Sequence, residues 1–267
     1  MREGLENTYV FHVLTLFPDL IREAVGHSVL GRAIKSGIVD VRVWDIRDYA
    51  HDRHRTVDDV PYGGGPGMVM KVEPVVECLS AVREVADPGV PSILMSAAGP
   101  AFTQSAAEEL AGKKGAILVC GHYEGVDERV AQHYVDREMS VGDYVLSGGE
   151  FGALVVVDAV ARLVPGVLGN SGSLEMESHQ TGLLEYPQYT RPSLFDGHRV
   201  PDVLLSGNHA EIEKFRKRKA IEKTRINRPD LFRRLSGKDL EQQDAPPPRL
   251  GRPVRGVQEQ VESVEGE

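Results

Sequence analysis

GAILVCGHYEGVDERVAQHYVDREMSVGDYVLSGGE occupies residues 115–150. Ala116 to Cys120 is an unbroken apolar run with a share of β-branched residues, the pattern of a strand buried on both faces. It stops at Gly121. Gly121 to Gly125 then turns the chain into VDERVAQHYV, where Val126, Val130 and Ala131 recur at helical spacing among charged neighbours. A second glycine-rich loop follows, with Gly142, Gly148 and Gly149 around Asp143, Tyr144 and Ser147, just ahead of another apolar helix. Glycine loops at strand ends are where an α/β protein binds a small molecule.

Upstream, Tyr9 to Leu16 reads as a first strand and Pro18 is placed to open a helix. A helix through His27 to Ser36 and a strand through Ile38 to Trp44 complete a β, α, β start, which predicts α/β with a largely parallel sheet. Asp45 to Met68 breaks all periodicity: with four Gly, two Pro and five Arg or His, it reads as a mobile loop that meets something anionic. Helical spacing returns from Lys71 to Ala86, Ser92 to Ser96 is a short apolar strand, and Phe102 to Leu110 is a helix with Thr103 as its cap. Phe151 to Leu163 is apolar nearly all round, which predicts a buried helix carrying Asp158 and Arg162.

Residues 1–164 are therefore read as one α/β domain and 165–187, rich in Gly, Ser and polar residues, as a linker. Residues 188–241 form a second domain, in which Asn208 caps a helix to about Ile226. Residues 242–267, with three consecutive prolines and many Glu, read as a disordered tail. The formal net charge of −9 over 267 residues argues against a nucleic-acid partner only if charge is spread evenly. It is not: between Glu211 and Arg234 there are ten Lys or Arg against four Asp or Glu, a surplus suited to a phosphate backbone. Two cysteines, Cys78 and Cys120, give no disulfide framework and fit a reducing cytosol. No apolar run is long enough to span a membrane, and MREGLENTY lacks the apolar core of a secretory signal, so a cytoplasmic location is expected.

Several familiar sites are excluded. LSGGE, Leu146 to Glu150, is like an ABC-type signature loop, but no glycine segment ends in the Gly-Lys-Ser/Thr of a phosphate-cradling loop, and GGGPGM at 63–68 fails at both ends. No GxGxxG lies between a strand and a helix. Cys120 reads as a buried, inert thiol beside Ile117, Leu118 and Val119. His51, Asp52 and His54 lack helical spacing or Cys partners and suit solvent or a polyanion better than a metal. Asp158 and Arg162, at i and i+4, suit an ion pair or a functional role equally from spacing alone.

HDRHRTVDDVPYGGGPGM, LVCGHYEGVDERV, VGDYVLSGGE, PGVLGN, YTRP and VLLSGNHAEI, in this order between Val10 and Leu235, together resemble the bacterial tRNA (guanine-N1-)-methyltransferases that act on guanosine 37, beside the anticodon. The resemblance implies the SPOUT class: an α/β sheet with a deep trefoil knot, a small all-helical C-terminal domain and a homodimer. It implies S-adenosylmethionine held by Leu94, Ser96, Gly121, Tyr123, Glu124, Val141, Gly142, Asp143, Tyr144, Val145, Leu146, Gly148 and Gly149. Mg²⁺ supports the reaction in related enzymes, with no ligands nameable here. Guanine N1 must lose its proton as the methyl group arrives, a task for a carboxylate base. The family's base is a linker aspartate, and the matching residue here is Glu177, longer by one methylene, about 1.5 Å; neighbouring Glu175 competes for the role. Arg162 matches the family's catalytic arginine, and His122 stands where an arginine is expected. The implied partner is a tRNA anticodon stem-loop, met by residues 45–68 and the basic helix. Glu177 also keeps open a catalytically silent RNA-binding protein of this fold, and a methyltransferase for another RNA position remains a further alternative.

Overall fold

The computed structural model describes residues 8–169, 178–179 and 182–235. Contacts divide the chain into two compact units, Met1–Gln180 and Thr181–Glu267.

The first unit runs β1 (Tyr9–Thr15), α1 (Pro18–Val25), α2 (Ser28–Lys35), β2 (Val39–Asp45), a 3-10 turn (Ile46–Tyr49), β3 (Asp58–Asp59), β4 (Val69–Met70), α3 (Val72–Val85), β5 (Ser92–Met95), α4 (Gln104–Ala111), β6 (Gly115–Cys120), α5 (Glu128–His133), β7 (Arg137–Met139) and α6 (Glu150–Ala161). Five strands make one sheet in the order β2-β1-β6-β5-β7, every pair parallel. All six residues of β6 are buried because both faces of this central strand are covered. Ala116, Leu118 and Cys120 pack with α1, α2, α4 and α6, while Ile117 and Val119 pack with α3 and α5, so the sheet lies between two helical layers. Local chemistry starts the helices as expected. Pro18 stands at the start of α1, and the Thr103 hydroxyl accepts from Ala106 N at 3.3 Å at the head of α4.

Parallel strands release all their following loops at one sheet edge. Thr15, Met95, Cys120 and Met139 end their strands there, and the loops after β5, β6 and β7 meet above them.

Two expectations are corrected. Residues 45–68 are not wholly irregular: Asp45 caps the 3-10 turn by accepting from Arg47 N at 2.9 Å, and β3 pairs antiparallel with β4. Helix α6 is not buried all round. Phe151 is 57% and Val155 48% exposed, and Asp158 is exposed beside them, so one apolar face meets solvent while Ala153, Val156, Val157 and Val160 enter the core. Asp158 thus incurs no burial cost. The half-buried Arg162 donates its backbone N–H to Asp158 O at 3.3 Å.

His12, buried on β1, gives the fold a pH dependence. Trp44 Nε1 donates to its Nδ1 at 3.3 Å, so the neutral ring is the form that fits. Burial, aided by Arg42, pushes its pKa down to about 4, against Asp40 and Asp87, which oppose the shift. The unfolded chain, with a histidine pKa of about 6.5, therefore binds a proton that the folded chain refuses, and stability falls as pH drops from about 6.5 toward about 4. Urea unfolding is expected to give about 2 kcal/mol less stability from this residue at about pH 5 than at about pH 7.5. His12→Gln should flatten that part of the profile.

The described part of the second unit contains a hairpin, β8 (Leu194–Phe195) with β9 (His198–Arg199), then α7 (Asp202–Leu205), α8 (His209–Asn227) and α9 (Pro229–Arg234). It is mainly helical, with the hairpin an addition to the all-helical expectation. The Asn208 side chain caps α8 by accepting from Glu211 N at 3.4 Å. Thr224, buried, donates to Ala220 O at 2.7 Å and accepts from Leu184 N at 2.8 Å, tying the incoming segment to α8.

Candidate functional site

A cavity of 370 Å³ opens at the carboxyl edge of β5, β6 and β7. Leu94 and Ser96 come from the end of β5; Gly121, Tyr123 and Glu124 follow β6; Val141, Gly142, Tyr144, Val145, Leu146, Gly148 and Gly149 follow β7. The structure brings all of these together. Asp143 is the exception, because it points to solvent outside the lining.

Backbone bonds hold the three loops against one another. Ser96 N donates to Met139 O at 3.0 Å, Phe102 N to Ser140 O at 2.7 Å and Gly149 N to Gly121 O at 2.7 Å. His122 and Gly148 form an antiparallel bridge. Gly149 is required by close approach, since a Cβ there would lie 2.8 Å from Cys120 Cα and 3.0 Å from Gly121 N. The loop after β6 is also strapped to β4: Glu124 N donates to Met68 O at 3.0 Å, Met70 N to Gly125 O at 2.9 Å and Asp127 N to Met70 O at 3.0 Å. The glycine-rich loop 60–67, with Tyr62 and Val60 exposed, therefore enters directly from the wall of the cavity.

Much of the lining is backbone and small or apolar side chains, with Glu124, Glu128 and Glu138 as its carboxylates. Such a wall reads a ligand through amides and carbonyls and can accommodate a positive charge. Cys120 beneath it is buried, and burial followed by the nearby Glu150 carboxylate raises its thiol pKa well above the ordinary range, so it is no nucleophile. Cys78 is pushed up to about 12, by burial first and then by Asp45.

Several lining residues were outside the expected set. Glu138, Met139 and Ser140 come from β7 and the residue after it; β7 has only three residues and shows no apolar period. Glu128 and Ala131 lie three apart on α5, a same-face spacing that sequence could have offered. Arg162 is at the C-cap of α6. Glu177 and Glu175 lie outside the described residues.

Around residues 45–68, Arg47 is half-buried and Arg53, His54 and Arg55 are exposed. Asp52 is committed to the loop itself, accepting from His54 N, Thr56 N and the Thr56 hydroxyl, and its carboxyl is held below the usual range chiefly by the Thr56 backbone bond. His51 pairs with Glu77 at 2.8 Å. Among the described residues no group of three or more His, Cys, Asp or Glu could hold a metal ion. On α8 and α9, Glu211, Glu213, Glu222 and Asp230 pair with Lys214, Arg216, Lys219 and Arg228, which leaves the basic surplus intact. Arg216 also stacks on Tyr186, 4.9 Å from the ring centroid. No helix among the described residues is long and apolar enough to cross a membrane.

Fold and cavity define a parallel α/β protein with a cavity at the carboxyl ends of its strands. The family model described as tRNA (Guanine-1)-methyltransferase TrmD matches residues 9–234. A tRNA (guanine-N(1)-)-methyltransferase of Ruminiclostridium cellulolyticum is 51% identical over 230 residues, covering 86% of this chain and 99% of the relative. Enzymes of the same description from Geobacter sulfurreducens and Chloroflexus aggregans are each 54% identical, over 86% and 85% of this chain and 95% and 88% of theirs. The chain belongs to the tRNA (guanine-N1-)-methyltransferase family.

Proposed function

We propose that this protein transfers a methyl group from S-adenosylmethionine to N1 of guanosine 37 in tRNA. The observation that carries the reading is the convergence of twelve of the thirteen residues expected at the methyl donor on one cavity. Its volume falls in the range of small-molecule sites, about 300–1,000 Å³. The donor supplies an activated methyl group, whose transfer from a sulfonium needs no metal. The loops hold the donor's adenosine against backbone and orient its methyl group toward the acceptor. Glu177 takes the proton from guanine N1, and Arg162 stabilises the negative charge that develops on O6. The basic residues of 47–55 and of α8 meet the tRNA phosphates, and exposed Tyr62 offers a face on which a base can stack.

The knot is part of this reading. What supports it is β6 lying between β1 and β5, with the segment after β7 returning so close to the end of β6 that only glycine fits at position 149. A cytoplasmic homodimer is also part of it. Phe151 and Val155, one turn apart on the exposed face of α6, give a second copy an apolar surface to cover. Sedimentation is expected to show a dimer for the wild type and a monomer for Phe151→Lys combined with Val155→Lys; a persisting dimer would place the interface elsewhere.

Single-turnover methylation of transcript tRNA with guanosines at nucleotides 36 and 37 tests the activity. N1-methylguanosine at 37 is the expected product. Donor binding without any product would point to a silent RNA-binding protein, and a product at another nucleotide would move the target.

A further inference from the structure

Four element ends meet beside the cavity in an arrangement with no role in the chemistry above. Among the described residues Glu150, 4% exposed, is the one buried carboxylate. The Thr15 hydroxyl, also buried, donates to its Oε1 at 2.8 Å and accepts from Phe17 N at 2.9 Å, so Thr15 is fixed from both sides. The other oxygen, Oε2, faces His122 Nδ1 at 3.9 Å. That nitrogen is buried and has no hydrogen-bond partner. Phe17 and Tyr123 pack against the imidazole at 4.9 and 5.0 Å between centroids, which sets the plane of the ring. The absence of a side chain at Gly148 lets the pair face each other: a Cβ there would lie 2.4 Å from both Oε2 and Nδ1.

A bare Nδ1 lone pair opposite a desolvated carboxylate would set two acceptors against each other, at a cost in a low-dielectric site. A proton on Nδ1 removes that conflict, and a movement of about 1 Å brings the pair to hydrogen-bond length. The His122 side chain retains 22% exposure although Nδ1 has none, so the edge bearing Nε2 is the one that reaches solvent. His122 also belongs to the cavity lining. We propose that Glu150 is a positioning residue: held from behind by Thr15, it fixes His122 with the proton on Nδ1 and leaves Nε2 as a hydrogen-bond acceptor toward the cavity. The ligand group that suits it is an N–H or O–H donor, such as an amino group or ribose hydroxyl of the methyl donor. This rests on the reading that the cavity takes the donor.

Side-chain nitrogen NMR of the whole protein, with the His122 signal assigned by its loss in His122→Gln, tests the pair first. At about pH 8.5, two units above the ordinary histidine pKa of about 6.5, Nδ1 is expected to be protonated. A bare Nδ1 in the wild type overturns the proposal. Kinetics test the consequence: Glu150→Ala should raise KM for S-adenosylmethionine about tenfold with kcat within about twofold, and Glu150→Gln, whose amide oxygen still accepts from Nδ1–H, should recover most of the loss. A drop in kcat or in melting temperature with KM unchanged overturns the positioning role. Should Glu150→Ala fail to fold, Thr15→Val removes the support behind Glu150 and is expected to raise the same KM. Wild-type protein that binds no S-adenosylmethionine defeats the donor-site reading instead, and the protonation of Nδ1 still decides the pair.

Discussion

Gly149→Ala is expected to lower the melting temperature by about 10 °C, given an overpacking cost of about 3 kcal/mol and a shift of about 2–4 °C per kcal/mol for a chain of this size. It should also remove measurable binding of S-adenosylmethionine at concentrations that saturate the wild type. The added methyl would lie 2.8 Å from Cys120 Cα, 3.0 Å from Gly121 N and 3.0 Å from Met95 Cβ. Two of those three atoms are backbone, and neither can yield. Cys120 ends a strand paired on one side with β5, and β6 is paired on the other with β1, so displacing it strains both ladders. The loop after β7 must move instead. It then loses the Gly149 N to Gly121 O bond of 2.7 Å, worth about 1 kcal/mol, and carries Gly148, Leu146 and Val145 out of the cavity wall. Gly169→Ala is the control, because a Cβ there meets nothing within 4 Å among the described residues. Calorimetric titration and thermal melting of both variants decide the point; intact binding in Gly149→Ala would show that the loop has room to spare.

The same residues show why some features were legible in sequence and others were not. Strand β6 was legible because a strand covered on both faces must be apolar without a break, and its glycine boundary marks the turn toward the ligand. Strand β7 was not. Its Arg137 and Glu138 are half-buried polar residues at a sheet edge, and its place is set by Met95 and the backbone of Ser96, more than forty positions away. Helix α6 misled for a physical reason: its exposed face, with Phe151 and Val155, is as apolar as the face that enters the core, so composition and periodicity cannot tell them apart. The two-residue strands β3 and β4 are too short to carry any period. At the site, the glycine loops announced themselves, whereas the facing of His122 and Glu150 depends on how two loops 28 positions apart return to one sheet edge.

Glu177→Gln is expected to lower the single-turnover rate by about 10²–10⁴-fold while donor affinity stays at the wild-type value. Guanine N1 carries its proton at neutral pH, and its lone pair becomes a nucleophile only as that proton leaves. A glutamate with an ordinary pKa of about 4.3 is ionised at neutral pH and can take it. The amide keeps the size of the side chain and loses the ability to accept a proton, so the defect should fall on chemistry rather than on binding. On the proposed reading the donor is held by the loops after β5, β6 and β7, so the substitution at 177 is expected to leave its affinity unchanged. Glu175→Gln should leave the rate near wild type, because the resemblance matches the base to position 177. If Glu175→Gln proved the damaging change, the base would be Glu175, and the extra methylene relative to aspartate would no longer need accommodating at 177.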